Sequence, residues 1–99
     1  MKTIKVSKQP VRIAEIVYMK SDINYTEFFL RNGNKIVSCH TLKRFEEQLP
    51  SQRFKRIDKG TLINSGYLKH IGSDSVTLVD NTVLKISRRR KQILSQFNY

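Results

Sequence analysis

Acidic residues are scarce: 8 Asp plus Glu stand against 19 Lys plus Arg in 99 residues, a formal charge of +11. So lopsided a balance calls for an acidic partner, nucleic acid being the commonest, rather than a surface that is only soluble. Cysteine is almost missing too. Cys39 stands alone, which excludes an intrachain disulfide and suits a reducing, cytoplasmic interior. No apolar run approaches the roughly 18 residues that cross a bilayer. The opening Met1-Lys2-Thr3-Ile4-Lys5-Val6 alternates polar and apolar, unlike a signal peptide, so no membrane partner is expected. Gly-rich linkers, repeats and low-complexity stretches are absent, which leaves one compact domain, 1–99, with one modest core.

Catalytic equipment is equally thin. Cys39 and His40 are neighbours, and two adjacent strand residues face opposite ways, so they cannot act as nucleophile and base. His70 is remote, and two His plus one Cys show no metal-ligand spacing. Phosphate-cradling and nucleophile-elbow motifs do not occur. The expectation is a protein that binds without enzymatic activity, metal or cofactor.

What is present is mostly strand. Thr3–Val6 alternates, Pro10 predicts a break, and residues 14–19 are β-branched and aromatic. Ser21-Asp22-Ile23-Asn24 predicts a turn before a strand over 25–31. Asn32-Gly33-Asn34 predicts a type I′ hairpin turn leading into Lys35–Ser38. The period then changes. Leu42, Phe45 and Leu49 recur at helical spacing, with Thr41 as N-cap and Pro50-Ser51 as the stop. Short strands follow at 54–57, 62–64, 68–71, 76–79 and 82–86, punctuated by Ser65-Gly66, Gly72-Ser73-Asp74 and Asp80-Asn81. A last helix over 88–97 is capped by Ser87, with Ile93, Leu94 and Phe97 on one face.

The positive charge is clustered, in Lys85-Ile86-Ser87-Arg88-Arg89-Arg90-Lys91 and in Arg53, Lys55, Arg56 and Lys59. Three polar turns fall between strands: Ser21, Asp22 and Asn24; Asp58, Lys59 and Gly60; Ser87, Arg88 and Arg89. Arg matches the guanine O6 and N7 edge, Asn and Lys also reach base edges, and hydroxyls suit phosphate oxygens.

These segments carry a resemblance. Phe54-Lys55-Arg56-Ile57-Asp58-Lys59-Gly60-Thr61-Leu62-Ile63-Asn64 resembles the Phe-x-Arg-aliphatic-His-basic-Ser-aromatic-aliphatic-aliphatic-Asn signature of the LytTR (LytR/AlgR-type) DNA-binding domain. Ile16-Val17-Tyr18-Met19-Lys20-Ser21 is similar to that family's first core strand, and Leu42-Lys43-Arg44-Phe45-Glu46-Glu47-Gln48-Leu49 to its helix. Val83-Leu84-Lys85-Ile86-Ser87-Arg88-Arg89 is similar to its closing Ser-Arg-Arg segment, so the resemblance runs over roughly residues 3–97.

The resemblance implies a mainly β, elongated LytTR-type fold of about ten mostly antiparallel strands, with a short internal helix and a C-terminal helix. It implies the DNA-binding domain of a bacterial response-regulator-type transcription regulator, which inserts inter-strand loops into successive grooves of promoter DNA. By position, Asn24, Lys59 and Arg88 fall at base-contacting sites. Thr41, Lys43, Gly60 through its N–H, Ser87 and Arg89 fall where the family touches phosphate or neighbouring bases. The partner implied is double-stranded promoter DNA with repeated half-sites, bound by a pair of domains that are monomeric alone.

Asp58, Gly60 and Thr61 depart from the family's His, Ser and aromatic residue. An acidic Asp58 beside phosphate needs Lys59 or Arg56 as its partner. Phe54, Ile57, Leu62 and Ile63 are expected in the core. In this family the domain usually follows a receiver domain, so the chain is either an excised C-terminal domain or a small stand-alone regulator. Two rivals share the charge: a small basic β-rich RNA-binding protein, which needs exposed aromatics for stacking, and a module for an acidic protein partner.

Overall fold

In a computed structural model, which describes residues 2–94, ten strands and two α-helices are present among the described residues. The centre is a five-stranded antiparallel sheet built from β3 (Ile16–Asp22), β4 (Tyr25–Leu30), β5 (Lys35–Ser38), β6 (Phe54–Asp58) and β7 (Thr61–Asn64), in the order β5-β4-β3-β7-β6. One face carries the hairpin β1 (Thr3–Val6) and β2 (Gln9–Arg12) together with α1 (Leu42–Gln48). The other carries a three-stranded sheet, β10-β9-β8, of β8 (Leu68–Ile71), β9 (Ser75–Leu78) and β10 (Val83–Lys85). Helix α2 (Arg88–Leu94) packs beside β6. The molecule is elongated, 37 × 27 × 22 Å. No helix among the described residues is long and apolar enough to cross a membrane.

The expected single core is in fact two, one on each face of the central sheet. Ile4, Val6, Val11, Ile13, Ile16, Met19, Phe28, Leu42, Phe45, Leu49, Phe54 and Leu62 form the first. Val17, Ile57, Ile63, Val76, Leu78, Leu84 and Ile86 form the second. Phe54, Ile57, Leu62 and Ile63 are buried as expected. Adjacent Leu62 and Ile63 serve opposite cores because successive strand residues alternate. Covered on both faces, β7 buries all four of its residues.

Ile16 and Met19 share a core although a spacing of three should separate them. The reason is a register shift in the β3–β4 pairing between Ile16 and Tyr18, which inserts one residue and flips the alternation. Asn64 closes the junction. Its Nδ2 donates to the Ile16 carbonyl at 2.9 Å, and its Oδ1 accepts from the Gly66 N–H at 3.0 Å.

Two turn expectations need correction. Pro10 does not break the chain but lies within β2, opposite Lys5. The two-residue loop makes Val6–Gln9 the hydrogen-bonded pair, so Lys5–Pro10 is a non-bonded one, and the missing N–H is not needed. That loop is Ser7-Lys8, with φ of 51° and 70°, the pair of left-handed residues of a type I′ turn. Asn32-Gly33 is not type I′, because only Gly33 (φ +90°) is left-handed there. The Gly33 N–H donates to the Leu30 carbonyl at 3.0 Å, as in a type I turn followed by a glycine bulge.

The other boundaries move slightly. β3 starts after a 3₁₀ turn at Ile13–Glu15 and runs on through Asp22, so only Ile23 and Asn24 are left to turn. β10 is shorter than 82–86. The expected helical face of Ile93, Leu94 and Phe97 lies outside the described side chains.

Candidate nucleic-acid interface

Backbone hydrogen bonds join segments that are far apart in sequence. The Ser21 N–H donates to the Gly60 carbonyl at 2.9 Å, which ties the β3–β4 hairpin to the Lys59-Gly60 loop between β6 and β7. The Ser87 N–H donates to the Ile57 carbonyl at 2.9 Å, which ties the start of α2 to the same β6 end. The segments carrying Asn24, Lys59 and Arg88 are therefore neighbours, and all three side chains are exposed. Arg89 is exposed as well.

Gly60 has a steric reason to be glycine. A Cβ there would lie 2.6 Å from Ser21 Oγ, so the loop can approach the hairpin this closely only without a side chain.

The segment before α1 joins the group from the other side. Thr26 Oγ1 donates to the His40 carbonyl at 2.7 Å, holding it to β4 two residues beyond Asn24. Thr41 caps α1 as expected, its Oγ1 accepting from the Arg44 N–H at 3.3 Å. Ser87 caps α2 likewise, accepting from the Arg90 N–H at 3.3 Å. A cap uses one hydroxyl lone pair, so each O–H remains available to donate outward. Thr41 and Lys43 are exposed, Ser87 half-buried.

The sequence marks Arg56 as one charge of a cluster, as the arginine of the signature and as a candidate partner for Asp58, and its position gives it a different part. It shares the parity of Phe54 on β6 and so faces α1, where Nη1 lies 2.5 Å from Glu46 Oε1. Its Nη2 donates to the Lys59 carbonyl at 2.8 Å. Among the described residues Asp58 pairs with neither of its candidate partners, Lys59 or Arg56: the Arg56 fork is spent on Glu46 and on the loop backbone. Arg56 thus clamps the Lys59 loop to the internal helix.

Two exposed residues at the hairpin tip were not singled out from sequence. Ile23 is 93% exposed and Tyr25 is 53% exposed. Their neighbourhood in a polar turn was visible, but an isoleucine there gave no signal of its own. Phe28, Phe45 and Phe54 are buried and Phe29 stacks on Tyr18 with centroids 4.3 Å apart, so these four phenylalanines do not form the open stacking platform an RNA-binding reading requires.

Cys39 and His40 lie beyond the end of β5 rather than within a strand, and both are exposed. His40 Nδ1 is 3.2 Å from Arg44 Nη1. No group of three or more His, Cys, Asp or Glu among the described residues could hold a metal. Shifted titrations fall elsewhere. Burial, then the charges of Asp80 and Glu27, raise the Tyr18 phenol above its ordinary range, and the Thr82 hydroxyl and N–H hold the Asp80 carboxyl below its own.

Comparison with known proteins is consistent with this architecture. A family model of the LytTr DNA-binding domain matches residues 7–97. Among solved structures, a LytTr DNA-binding domain from Bacillus cereus, assigned to a methyl-accepting/DNA response regulator, is similar with a TM-score of 0.81 and 18% identity, over 96% of this chain and 93% of that one. At that identity the likeness bears on the fold. No curated protein matches the chain by sequence.

Proposed function

Since the chain belongs to the LytTR family of DNA-binding domains, we propose that it reads promoter DNA for a bacterial response-regulator-type transcription regulator, in the cytoplasm, without chemistry of its own. The observation that carries this reading is the backbone tie of three distant segments, Ser21 to Gly60 and Ile57 to Ser87, at one end of the central sheet. Loops held in fixed relation by a rigid sheet can meet a duplex at several points without a recognition helix.

In this reading Asn24, Lys59 and Arg88 contact bases. Arg88 takes a guanine edge, Asn24 an adenine edge, and Lys59 an acceptor such as guanine O6 or N7. The hydroxyls of Thr41 and Ser87, the side chains of Lys43 and Arg89, and the Gly60 N–H contact phosphate or neighbouring bases. Asp22 and Asp58 stand beside these cations and limit how many phosphates the surface neutralises.

One such domain reads few bases. Two copies, monomeric alone, therefore occupy repeated half-sites about one helical turn apart. Footprinting tests the pairing: two protected half-sites are expected, and a single isolated site of full affinity overturns it. A gel-shift comparing duplex DNA, structured RNA and an acidic protein tests the partner. Duplex binding is expected to weaken steeply with salt, and a log–log slope near zero would refute the electrostatic part of the proposal.

A further inference from the structure

The β3–β4 tip holds an isoleucine in a place that suits almost any other residue better. Ile23 has φ +56°, a left-handed conformation that is a genuine outlier for a β-branched side chain. Asn24, which tolerates that region well, stands next to it in an ordinary conformation. The Ile23 side chain is also the most exposed large hydrophobic among the described residues, and it joins neither core. The fold gains nothing from this residue on either count, so its selection points to a surface met from outside.

We infer that Ile23 is a specificity residue that packs against the C5 methyl of a thymine in the major groove. The inference rests on the DNA-reading function proposed above. Beyond Lys20 and Thr26, where β7 and β5 still pair with it, the hairpin projects from the sheet as a short two-stranded tip, and the major groove admits a two-stranded ribbon. It ends on Ile23 and Asn24, and the Ser21–Gly60 hydrogen bond fixes it beside the Lys59 loop. Among the groups a base pair shows in that groove, the thymine methyl alone is apolar. The minor groove offers no apolar edge, and there an isoleucine acts only as a wedge between base steps. Asp22, next to the tip, also disfavours entry into the narrow minor groove, where the negative potential is strongest. With Asn24 on an adenine edge, the tip then reads an A·T-rich step through two complementary chemistries.

Deoxyuridine removes the thymine methyl and changes nothing else in the base pair. Each thymine of a selected binding site is therefore replaced by deoxyuridine in turn, and the affinity of the native chain is compared with that of Ile23→Ala. One replacement should weaken the native protein by about fourfold, the worth of a buried methyl group. Ile23→Ala should show a similar loss on unmodified DNA and no further loss at that one position. Ile23→Gly, which also relieves the left-handed strain, should melt at a higher temperature while binding more weakly. Identical deoxyuridine profiles for native and Ile23→Ala proteins would overturn the inference, as would a loss in Ile23→Ala that is equal on every sequence. Absence of duplex binding by the native chain would instead overturn the function on which the inference rests.

Discussion

Replacing Arg56 with Met separates what this residue does for stability from what it does for the Lys59 loop. The Glu46–Arg56 pair is only partly buried, with the two side chains 39% and 20% exposed, so solvent screening leaves it worth about 1 kcal/mol at most. Against that stands Arg56 Nε, buried with no hydrogen-bond partner, a desolvation cost of about 1 kcal/mol or more. Met keeps the apolar stem and removes both contributions, together with the exposed hydrogen bond to the Lys59 carbonyl, which water replaces at little cost to folding. The net change in stability is therefore below about 1 kcal/mol, a shift of less than about 8 °C in a domain of this size. Binding responds differently. Without the hydrogen bond to its carbonyl, Lys59 must be ordered when DNA binds, and fixing one residue's backbone costs about 1–2 kcal/mol. That is a loss of roughly five- to thirtyfold in affinity. Glu46→Gln keeps the bond to the Lys59 carbonyl and should cost less than about threefold, within the range of an exposed pair. Thermal melting followed by circular dichroism and titration of a labelled duplex measure the two effects. An unchanged Kd for Arg56→Met, or a larger loss from Glu46→Gln, would refute the clamp.

Other substitutions test other parts of the site. Arg88→Ala should cost about 1–3 kcal/mol at one base position and leave the melting temperature unchanged, read by titrating single-base variants of the site. Arg90→Ala and Lys91→Ala should weaken binding equally on all sequences, and Lys91→Ala should also loosen α2, because its Nζ donates to the Ser73 carbonyl at 3.1 Å. Gly60→Ala forces Ser21 Oγ to rotate away, at a cost below about 1.5 kcal/mol. Ser21→Ala added to it should restore the melting temperature, and independent effects would show that the close approach is unimportant. Asn64→Ala leaves the buried Ile16 carbonyl unpaired, which costs about 1–3 kcal/mol and should lower the melting temperature by at least about 4 °C.

The sequence by itself determined whatever depends on composition or on residues a few positions apart. The charge excess is a sum. The α1 face of Leu42, Phe45 and Leu49 and the caps at Thr41 and Ser87 are set within one or two turns of chain, and the structure has them as expected. The short strands were legible for the same reason, and so was the burial of Phe54, Ile57, Leu62 and Ile63.

Tertiary structure decided whatever depends on how distant strands pair. The bulge near Val17 divides one apolar run between two cores, and only the register with β4 reveals it. Pro10 is tolerated because it falls on a non-hydrogen-bonded pair, and Arg56 meets Glu46 rather than Asp58 because a register shift between Arg56 and Asp58 in the β6–β7 pairing breaks the alternation that would put both on one face. The segments of Asn24, Lys59 and Arg88 become neighbours through two backbone hydrogen bonds. Backbone groups are chemically alike at every residue, so no side-chain pattern marks which of them will pair. Their partners are chosen when the sheet closes.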